Sequence, residues 1–74
     1  MTTGKPNVPA AVDVLEIRKR LSLTQRQFAE VFAIPYGTVR DWEQGKRQPD
    51  AAARAYLCVI DRATDAVRNA LAQR

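Results

Sequence analysis

A predicted helix in the middle of the chain, IPYGTVRDWEQG, carries the side chains with the clearest recognition chemistry. Helical spacing places an apolar stripe on its inward face: Thr38, Val39 and Trp42, with Gly45 ending the helix. The opposite face carries Gly37, Arg40, Asp41 and Gln44, and Tyr36 lies at its edge. On this face Arg40 offers a fork of hydrogen-bond donors and Asp41 offers acceptors. A face with a glycine and an arginine is unusual for a small domain, and it suggests binding rather than packing.

Several catalytic and metal-binding chemistries are excluded by the composition. The 74 residues contain no histidine and one cysteine, Cys58, so neither an intrachain disulfide nor a Cys/His zinc site is expected. The chain also has no Gly-rich phosphate loop and no carboxylate cluster that could hold a metal. We therefore expect no enzyme and no cofactor, and we expect Cys58 to be a small apolar residue of a helix rather than a redox switch.

Length and charge indicate one small basic domain. A domain of this size buries only about 60% of its unfolded surface, so its core must be compact or completed by a partner chain. Twelve Lys and Arg against eight Asp and Glu give a net charge of +4, which favours an anionic partner such as nucleic acid. No apolar run approaches the roughly 20 residues of a membrane span, and the first residues lack the apolar core of a signal peptide. A cytoplasmic protein without a membrane partner is expected.

The first half of the chain predicts a tail and two helices. Residues 1–8 are expected to be a disordered tail that precedes a domain over residues 9–74. The first helix is predicted from Pro9 or Ala10 to Leu21. The second begins with a capping box of Thr24 and Gln27. The inward stripes of the two helices are Val14, Ile17 and Leu21 in the first, and Phe28, Val31 and Phe32 in the second.

The second half predicts two more helices after the one described above. Asp50 is a plausible N-cap for a helix from Ala51 to about Arg62, and Thr64 can cap a fifth helix. The inward residues are Leu57 and Ile60 in the fourth helix, and Val67, Ala70 and Leu71 in the fifth. Tyr56 fits either the core or a dimer surface. No alternating strand pattern occurs, so the fold class is all-α with five helices.

Two charged residues break the apolar faces. Arg18 falls on the inward face of the first helix, and Glu43 lies four residues after Val39 on the inner flank of the third. A charge on an apolar face is costly unless it is paired, and each of these residues could be the partner of the other. Helical spacing alone leaves the alternative open that either side chain extends to solvent.

The second and third helices are short, joined by about three residues, and apolar on one face each. This arrangement is typical of a helix-turn-helix, in which the first helix braces the second in the major groove of DNA. Ala29 meets the need for a small residue where the two helices meet. The small Gly37 would let the backbone of the third helix come close to bases and phosphates. The polar face of the third helix is therefore interpreted as a reading face.

The segment LTQRQFAEVFAIPYGTVRDWEQGKRQPD resembles the DNA-binding core of the XRE family, the regulators related to the lambdoid phage repressors. The resemblance covers roughly residues 17–60 and implies a five-helix domain like that of lambda repressor. Members of this family keep a buried Arg–Glu pair at the places of Arg18 and Glu43, which favours the ion pair. The segment RAYLCVIDRATDAVRNAL more loosely resembles the C-terminal part of HigA- and MqsA-type antitoxins, whose last helices support dimerisation.

The resemblance assigns roles to individual residues. The positions that face base edges are Tyr36, Gly37, Arg40 and Asp41. Those that contact phosphates are Gln25, which can also reach an outer base, Thr38, Gln44, Lys46 and Arg47. The chemistry agrees, because Arg can donate to guanine O6 and N7 and Asp can accept from cytosine N4. Asp41 could instead orient Arg40. Trp42 is expected to be a core residue rather than a platform for stacking bases.

Two residues depart from the pattern of the family. Pro35 occupies a place usually held by a Ser or Thr cap, so the first amides of the third helix lack that acceptor and could bind a DNA phosphate. Ala33 replaces a common turn glycine, so a left-handed conformation there would carry some strain.

These inferences predict a homodimeric transcriptional repressor that binds double-stranded DNA at an inverted-repeat operator on the bacterial nucleoid. The more specific prediction is an antitoxin that represses its own operon and neutralises an RNase toxin of the RelE/HigB kind. The alternatives are a phage- or host-type regulator without a toxin, and a protein-interaction adaptor of the same fold. The dimer seam is predicted at Val67 and Leu71, although the fifth helix could instead fold back onto the first.

Overall fold

Five helices follow one another in the computed structural model, which describes residues 12–73. They are α1 (Val14–Arg20), α2 (Gln25–Phe32), α3 (Tyr36–Gln44), α4 (Ala51–Arg62) and α5 (Thr64–Ala72). No strand occurs in this part of the chain, which confirms the all-α fold class. None of these helices is long and apolar enough to cross a membrane. The tail predicted over residues 1–8 lies outside the described residues.

The start of α1 differs from its prediction. The helix begins at Val14 rather than at Pro9 or Ala10, because Asp13 is extended and acts as the N-cap. The Asp13 carboxylate accepts a hydrogen bond from the Glu16 amide at 3.1 Å and so satisfies one of the free amides of the first turn. An Asp three residues before a first-turn Glu is a known start signal that the apolar spacing alone does not reveal.

Helix α2 begins at the predicted capping box and ends in a left-handed residue. The Thr24 hydroxyl accepts from the Gln27 amide at 3.1 Å, and the Gln27 side chain accepts from the Thr24 amide at 2.9 Å, which confirms the capping box. The helix ends at Ala33, which adopts the left-handed conformation with φ 57° and ψ 44°. The chain then turns within three residues into α3, and Gly45, with φ 75°, ends α3 as expected.

One apolar core joins all of the helices except α5, which only packs against its edge. The buried residues are Val14, Ile17, Phe28, Ala29, Phe32, Ile34, Val39, Leu57 and Ile60. The rings of Phe28 and Phe32 lie 5.0 Å apart at their centroids, tilted by 57°. Burial of one such side chain stabilises the fold by about 1.5–3 kcal/mol. Trp42 and Val31 are half-buried against this core, so the expectation that Trp42 packs with the core is confirmed.

Helix α4 is capped by Asp50, whose carboxylate accepts from the Ala53 amide at 2.8 Å, as predicted. Tyr56 is half-buried against the core and donates to the Phe32 carbonyl at 2.6 Å, which ties α4 to the end of α2. The predicted cap of α5 is wrong: Ala63 is the N-cap, and the Thr64 hydroxyl donates to the Ile60 carbonyl at 2.6 Å. The hydroxyl bonds back to α4 and therefore holds the two helices at their junction.

Helix α5 packs against α2 and α4. Val67 and Leu71 are half-buried against the core, whereas Ala70, predicted in the same stripe, is exposed. The apolar stripe of α5 is thus narrower than predicted, and no residue of α5 is fully buried.

Candidate nucleic-acid interface

Helices α2 and α3 pack closely because small and apolar residues meet at their junction. The turn between them spans residues 33–35, and the Ile34 amide donates to the Ala29 carbonyl at 2.9 Å. Ala29 is buried at this crossing, as the sequence predicts, and Val39 is fully buried beneath α3. The buried face of α3 therefore fixes which of its residues point outward.

The outward face of α3 is a strip of residues one helical turn apart. Tyr36, Arg40 and Gln44 follow one another at i, i+4 and i+8, a spacing that places them on one face. Arg40 and Gln44 are exposed and Tyr36 is half-buried. The strip leads into the exposed turn of Lys46 and Arg47. It thus presents several of the predicted DNA-contacting residues along one line.

Arg18 and Glu43 form the ion pair that the sequence predicts. Arg18 Nε donates to Glu43 Oε2 at 2.7 Å, and Nη2 donates to Oε1 at 2.9 Å, a bidentate arrangement. The side chains are 16% and 6% exposed respectively. Arg18 Nη1 also donates to the Leu23 carbonyl at 3.0 Å, in the turn between α1 and α2. One guanidinium therefore links α1, the following turn and α3.

The environment of the pair favours the charged form of both residues, because it lowers the pKa of Glu43 and raises the pKa of Arg18. The hydrogen bond from Arg18 lowers the pKa of the Glu43 carboxyl, burial opposes that shift, and a hydrogen bond from Gln25 supports it. The same bond raises the pKa of Arg18 against the effect of burial. Both groups are consequently ionised at neutral pH and stabilise each other.

Gln25 extends this network from α2 to the outer strip. Its amide donates to Glu43 Oε1 at 3.0 Å, and its oxygen accepts from the Tyr36 hydroxyl at 3.5 Å. Gln25 is half-buried, so the predicted phosphate contact would have to use its second N–H. In this way Gln25 connects the buried ion pair to Tyr36, the first residue of the outer strip of α3.

The ring of Tyr36 carries two guanidinium groups. The Cζ of Arg26, an exposed residue of α2, lies over the ring 4.3 Å from its centroid, and that of Arg40 lies 5.5 Å from it. Both distances are within the range of a cation–π contact. Arg40 lies one turn after Tyr36, so helical spacing could reveal that contact, whereas no spacing reveals the contact of Arg26 across two helices. Arg26 is absent from the predicted site for this reason.

The carboxylate of Asp41 lies beside Arg47, in the turn that follows α3. The Lys46 amide donates to the Asp41 carbonyl at 2.9 Å, and Arg47 Nη1 lies 3.9 Å from Asp41 Oδ2. Within residues 12–73 no ion pair joins Asp41 to Arg40, so the alternative that Asp41 orients Arg40 finds no support. The Arg47 side chain is 65% exposed, and a contact of this length leaves it available to a phosphate.

The amino end of α3 is open. Pro35 is its N-cap and no side-chain hydrogen bond caps it, as the sequence predicts. A Cβ placed on Gly37 would meet only the Arg40 side chain, at 3.9 Å, which is an ordinary contact. The fold therefore does not require a glycine at this position. Thr38, next in the chain, is half-buried.

The predicted site residues separate into two places. Those assigned to DNA lie on the start of α2, on α3 and on the turn that follows: Gln25, Tyr36, Gly37, Thr38, Arg40, Asp41, Gln44, Lys46 and Arg47. Val67 and Leu71, assigned to the dimer seam, lie on α5 and are half-buried against their own core. Within the described residues no group of three or more Cys, Asp or Glu side chains could hold a metal ion.

Comparisons with known proteins agree with this geometry. The helix-turn-helix family profile matches residues 14–53, which span α1 to the start of α4. A crystal structure of a "HTH XRE-family like protein" from Agrobacterium tumefaciens is similar to this chain, with 44% identity and a TM-score of 0.76. The similarity covers 81% of this chain and 98% of that one. No curated protein matches. The chain belongs to the XRE family of helix-turn-helix proteins.

Proposed function

We propose that the protein is a sequence-specific DNA-binding transcription regulator in which α3 enters the major groove and α2 lies across the DNA backbone. The observation that carries the proposal is the state of Arg40. It is exposed on the outer face of α3, over the Tyr36 ring, and within residues 12–73 no hydrogen bond or ion pair engages its guanidinium. All of its donors remain available for a bidentate contact to guanine.

Two further features favour DNA as the partner. The amino end of α3 offers uncapped amides, where a helix favours an anion such as a phosphate. Gly37 has no packing reason to be a glycine, but an absent side chain lets a backbone approach a base pair closely. The buried acid of α3, Glu43, is already paired with Arg18.

The test is selection of DNA from a pool of randomised duplexes with the purified protein. We expect enrichment of an inverted repeat, and binding at least about 10³-fold tighter than to unrelated DNA. The logarithm of the affinity should fall linearly with the logarithm of the salt concentration, because phosphate contacts release counterions. Absence of any enriched sequence would favour the alternative of an adaptor whose basic face is incidental.

The repressor and antitoxin functions form a finer proposal. A homodimer that covers an operator would repress by excluding the polymerase, and reporter transcription from a promoter that carries the selected site measures this. The antitoxin function is supported by the sequence resemblance of residues 54–71 alone. Its test is co-purification with the product of a neighbouring gene that encodes a small basic RNase of the RelE/HigB kind. A regulator without such a neighbour would be the phage- or host-type alternative.

A further inference from the structure

Arg26 lies outside every site predicted from the sequence, yet it contacts an aromatic ring of the recognition helix α3. It is the second residue of α2, it is exposed, and its Cζ lies 4.3 Å from the centroid of the Tyr36 ring on α3. The same ring carries Arg40 at 5.5 Å. The Tyr36 ring therefore contacts two guanidinium groups, one from each helix of the helix-turn-helix.

The charge of Arg26 is not compensated within the described part of the chain. No hydrogen bond or ion pair engages its guanidinium there, although Glu30 lies one turn later on the same helix. Glu43, the buried acid of the network, is saturated by Arg18 and Gln25. Two like charges near one ring repel each other, and an anion placed beside them would relieve that repulsion.

We propose that Arg26 binds a phosphate of the DNA backbone next to the major groove that α3 enters. This inference rests on the proposed function. In a helix-turn-helix the first helix crosses the backbone while the second enters the groove, so a side chain at the start of α2 meets phosphates rather than base edges. Arg suits this role because its planar fork matches the geometry of two phosphate oxygens.

Tyr36 acts in this arrangement as a positioning residue for Arg26. Contact with the ring uses no N–H donor of the guanidinium in a hydrogen bond, so the donors stay available for the phosphate. The ring also restricts a long side chain before DNA arrives, which reduces the entropy lost on binding. The hydroxyl of Tyr36, bonded to Gln25, holds the ring itself.

The first experiment compares Arg26→Gln with Arg62→Gln. Both residues are exposed arginines outside the described ion pairs, but Arg62 lies at the end of α4, beside the groove between α1 and α4. Affinities for the selected DNA and for unrelated DNA are measured over a series of salt concentrations. Arg26→Gln should weaken both by a similar factor, roughly 3–10-fold, and should make the salt slope shallower by about 0.9. Arg62→Gln should change neither.

Three results would overturn the inference. They are an unchanged salt slope in Arg26→Gln, a loss confined to the selected sequence, which would make Arg26 a base-reading residue, and an equal loss in Arg62→Gln. If the unsubstituted protein bound no DNA, the proposed function would fail together with this inference. If it bound DNA and Arg26→Gln bound equally well, this inference alone would fail.

The second experiment tests the role of the ring. Arg26→Gln is introduced into Tyr36→Leu and into Tyr36→Phe, and circular dichroism verifies that each variant is folded. If the ring positions Arg26, Arg26→Gln should cost less affinity in the Tyr36→Leu background than in the unsubstituted protein. In the Tyr36→Phe background, which keeps the ring, it should retain most of its effect. An equal cost in all three backgrounds would show that Tyr36 does not position Arg26.

Discussion

Arg18 and Arg40 show how the surroundings of one residue type decide what it does. Arg18 is largely buried and donates hydrogen bonds to Glu43 and to the Leu23 carbonyl, so its role is to hold helices together. Arg40 is exposed, its guanidinium lies over the Tyr36 ring, and no hydrogen bond or ion pair engages it in the described part of the chain. Its donors are therefore available to a partner. The buried, paired charge of Arg18 thus affects stability, whereas the exposed charge of Arg40 affects binding.

Arg40→Ala should weaken binding to the selected DNA by about 1–3 kcal/mol, the usual cost of losing a bidentate base contact. Binding to unrelated DNA should weaken far less, because it depends on phosphates. A fluorescence anisotropy titration on both DNAs measures the two effects. Equal weakening on both would mean that Arg40 contacts a phosphate only.

Arg18 and Glu43 should be energetically coupled. Arg18→Met or Glu43→Met alone leaves one charge buried without its partner and should lower the free energy of unfolding by about 3–5 kcal/mol. The double variant leaves no unpaired charge, so it should cost clearly less than the sum of the two. Urea unfolding followed by the fluorescence of Trp42 measures all four proteins, and additive costs would contradict the coupling.

Acid should weaken the fold partly through Glu43. Because Arg18 holds the pKa of this carboxyl below that of the unfolded chain, about 4.3, the unfolded state binds more protons in acid. The stabilisation is complete above the unfolded pKa and is lost as the pH falls through the folded one. Between pH 7 and pH 3.5 the urea concentration at the midpoint of unfolding should therefore fall by more in the unsubstituted protein than in Glu43→Gln. Equal losses in the two proteins would rule out this origin.

At the scale of the helices, the sequence predicts most of the helix ends that a local signal marks. The capping box of Thr24, the stop at Gly45 and the cap at Asp50 depend on residues three or four apart. The wrong start of α1 has a local cause, because the apolar spacing does not reveal the Asp13 cap. The wrong cap of α5 has a tertiary one. Thr64 was predicted to cap α5, but its hydroxyl instead reaches back to Ile60 on the preceding helix.

The candidate site follows the same division. Helical spacing placed Arg40 and Gln44 on the outer face of α3, and the charges of Arg18 and Glu43 on apolar faces implied a pair. The contact of Arg26 with Tyr36 joins two helices through side-chain rotamers. No periodicity in the sequence encodes such a contact, so only the packed structure reveals it.

Ala33, in the turn between α2 and α3, is one of two described non-glycine residues with a positive φ, the other being Ser22 before α2. The left-handed conformation costs a residue with a Cβ about 1–2 kcal/mol, and glycine avoids that cost but loses more backbone entropy on folding. Ala33→Gly should therefore raise the free energy of unfolding, by about 0.5–1 kcal/mol. Ala70→Gly is the matched control: Ala70 is an exposed helical alanine of α5, and its replacement should destabilise. Urea unfolding decides, and destabilisation by both substitutions would contradict the strain at Ala33.

At the scale of the whole molecule, the apolar surface that remains bears on how the protein assembles. Val67 and Leu71 on α5 are partly buried against the edge of the core, whereas Val59 on α4 is 50% exposed. A single helix-turn-helix reads only a few base pairs, too few to define an operator in a genome. A two-fold dimer doubles the contacts and requires an inverted repeat whose half-sites lie one helical turn, about 34 Å, apart.

The dimer seam is predicted on α5, and two charge substitutions test it against α4. Leu71→Glu should give a monomer by light scattering, because a charge in an apolar seam is not solvated. The monomer should still be folded by circular dichroism, since Leu71 is only half-buried within its own chain, and it should lose most of its affinity for the operator. Val59→Glu places the same charge on the exposed large apolar residue of α4 and should leave the dimer intact. If Val59→Glu separates the subunits and Leu71→Glu does not, the seam lies on α4. If neither substitution separates the subunits, the dimer uses another surface. If the unsubstituted protein is itself a monomer, no dimer forms.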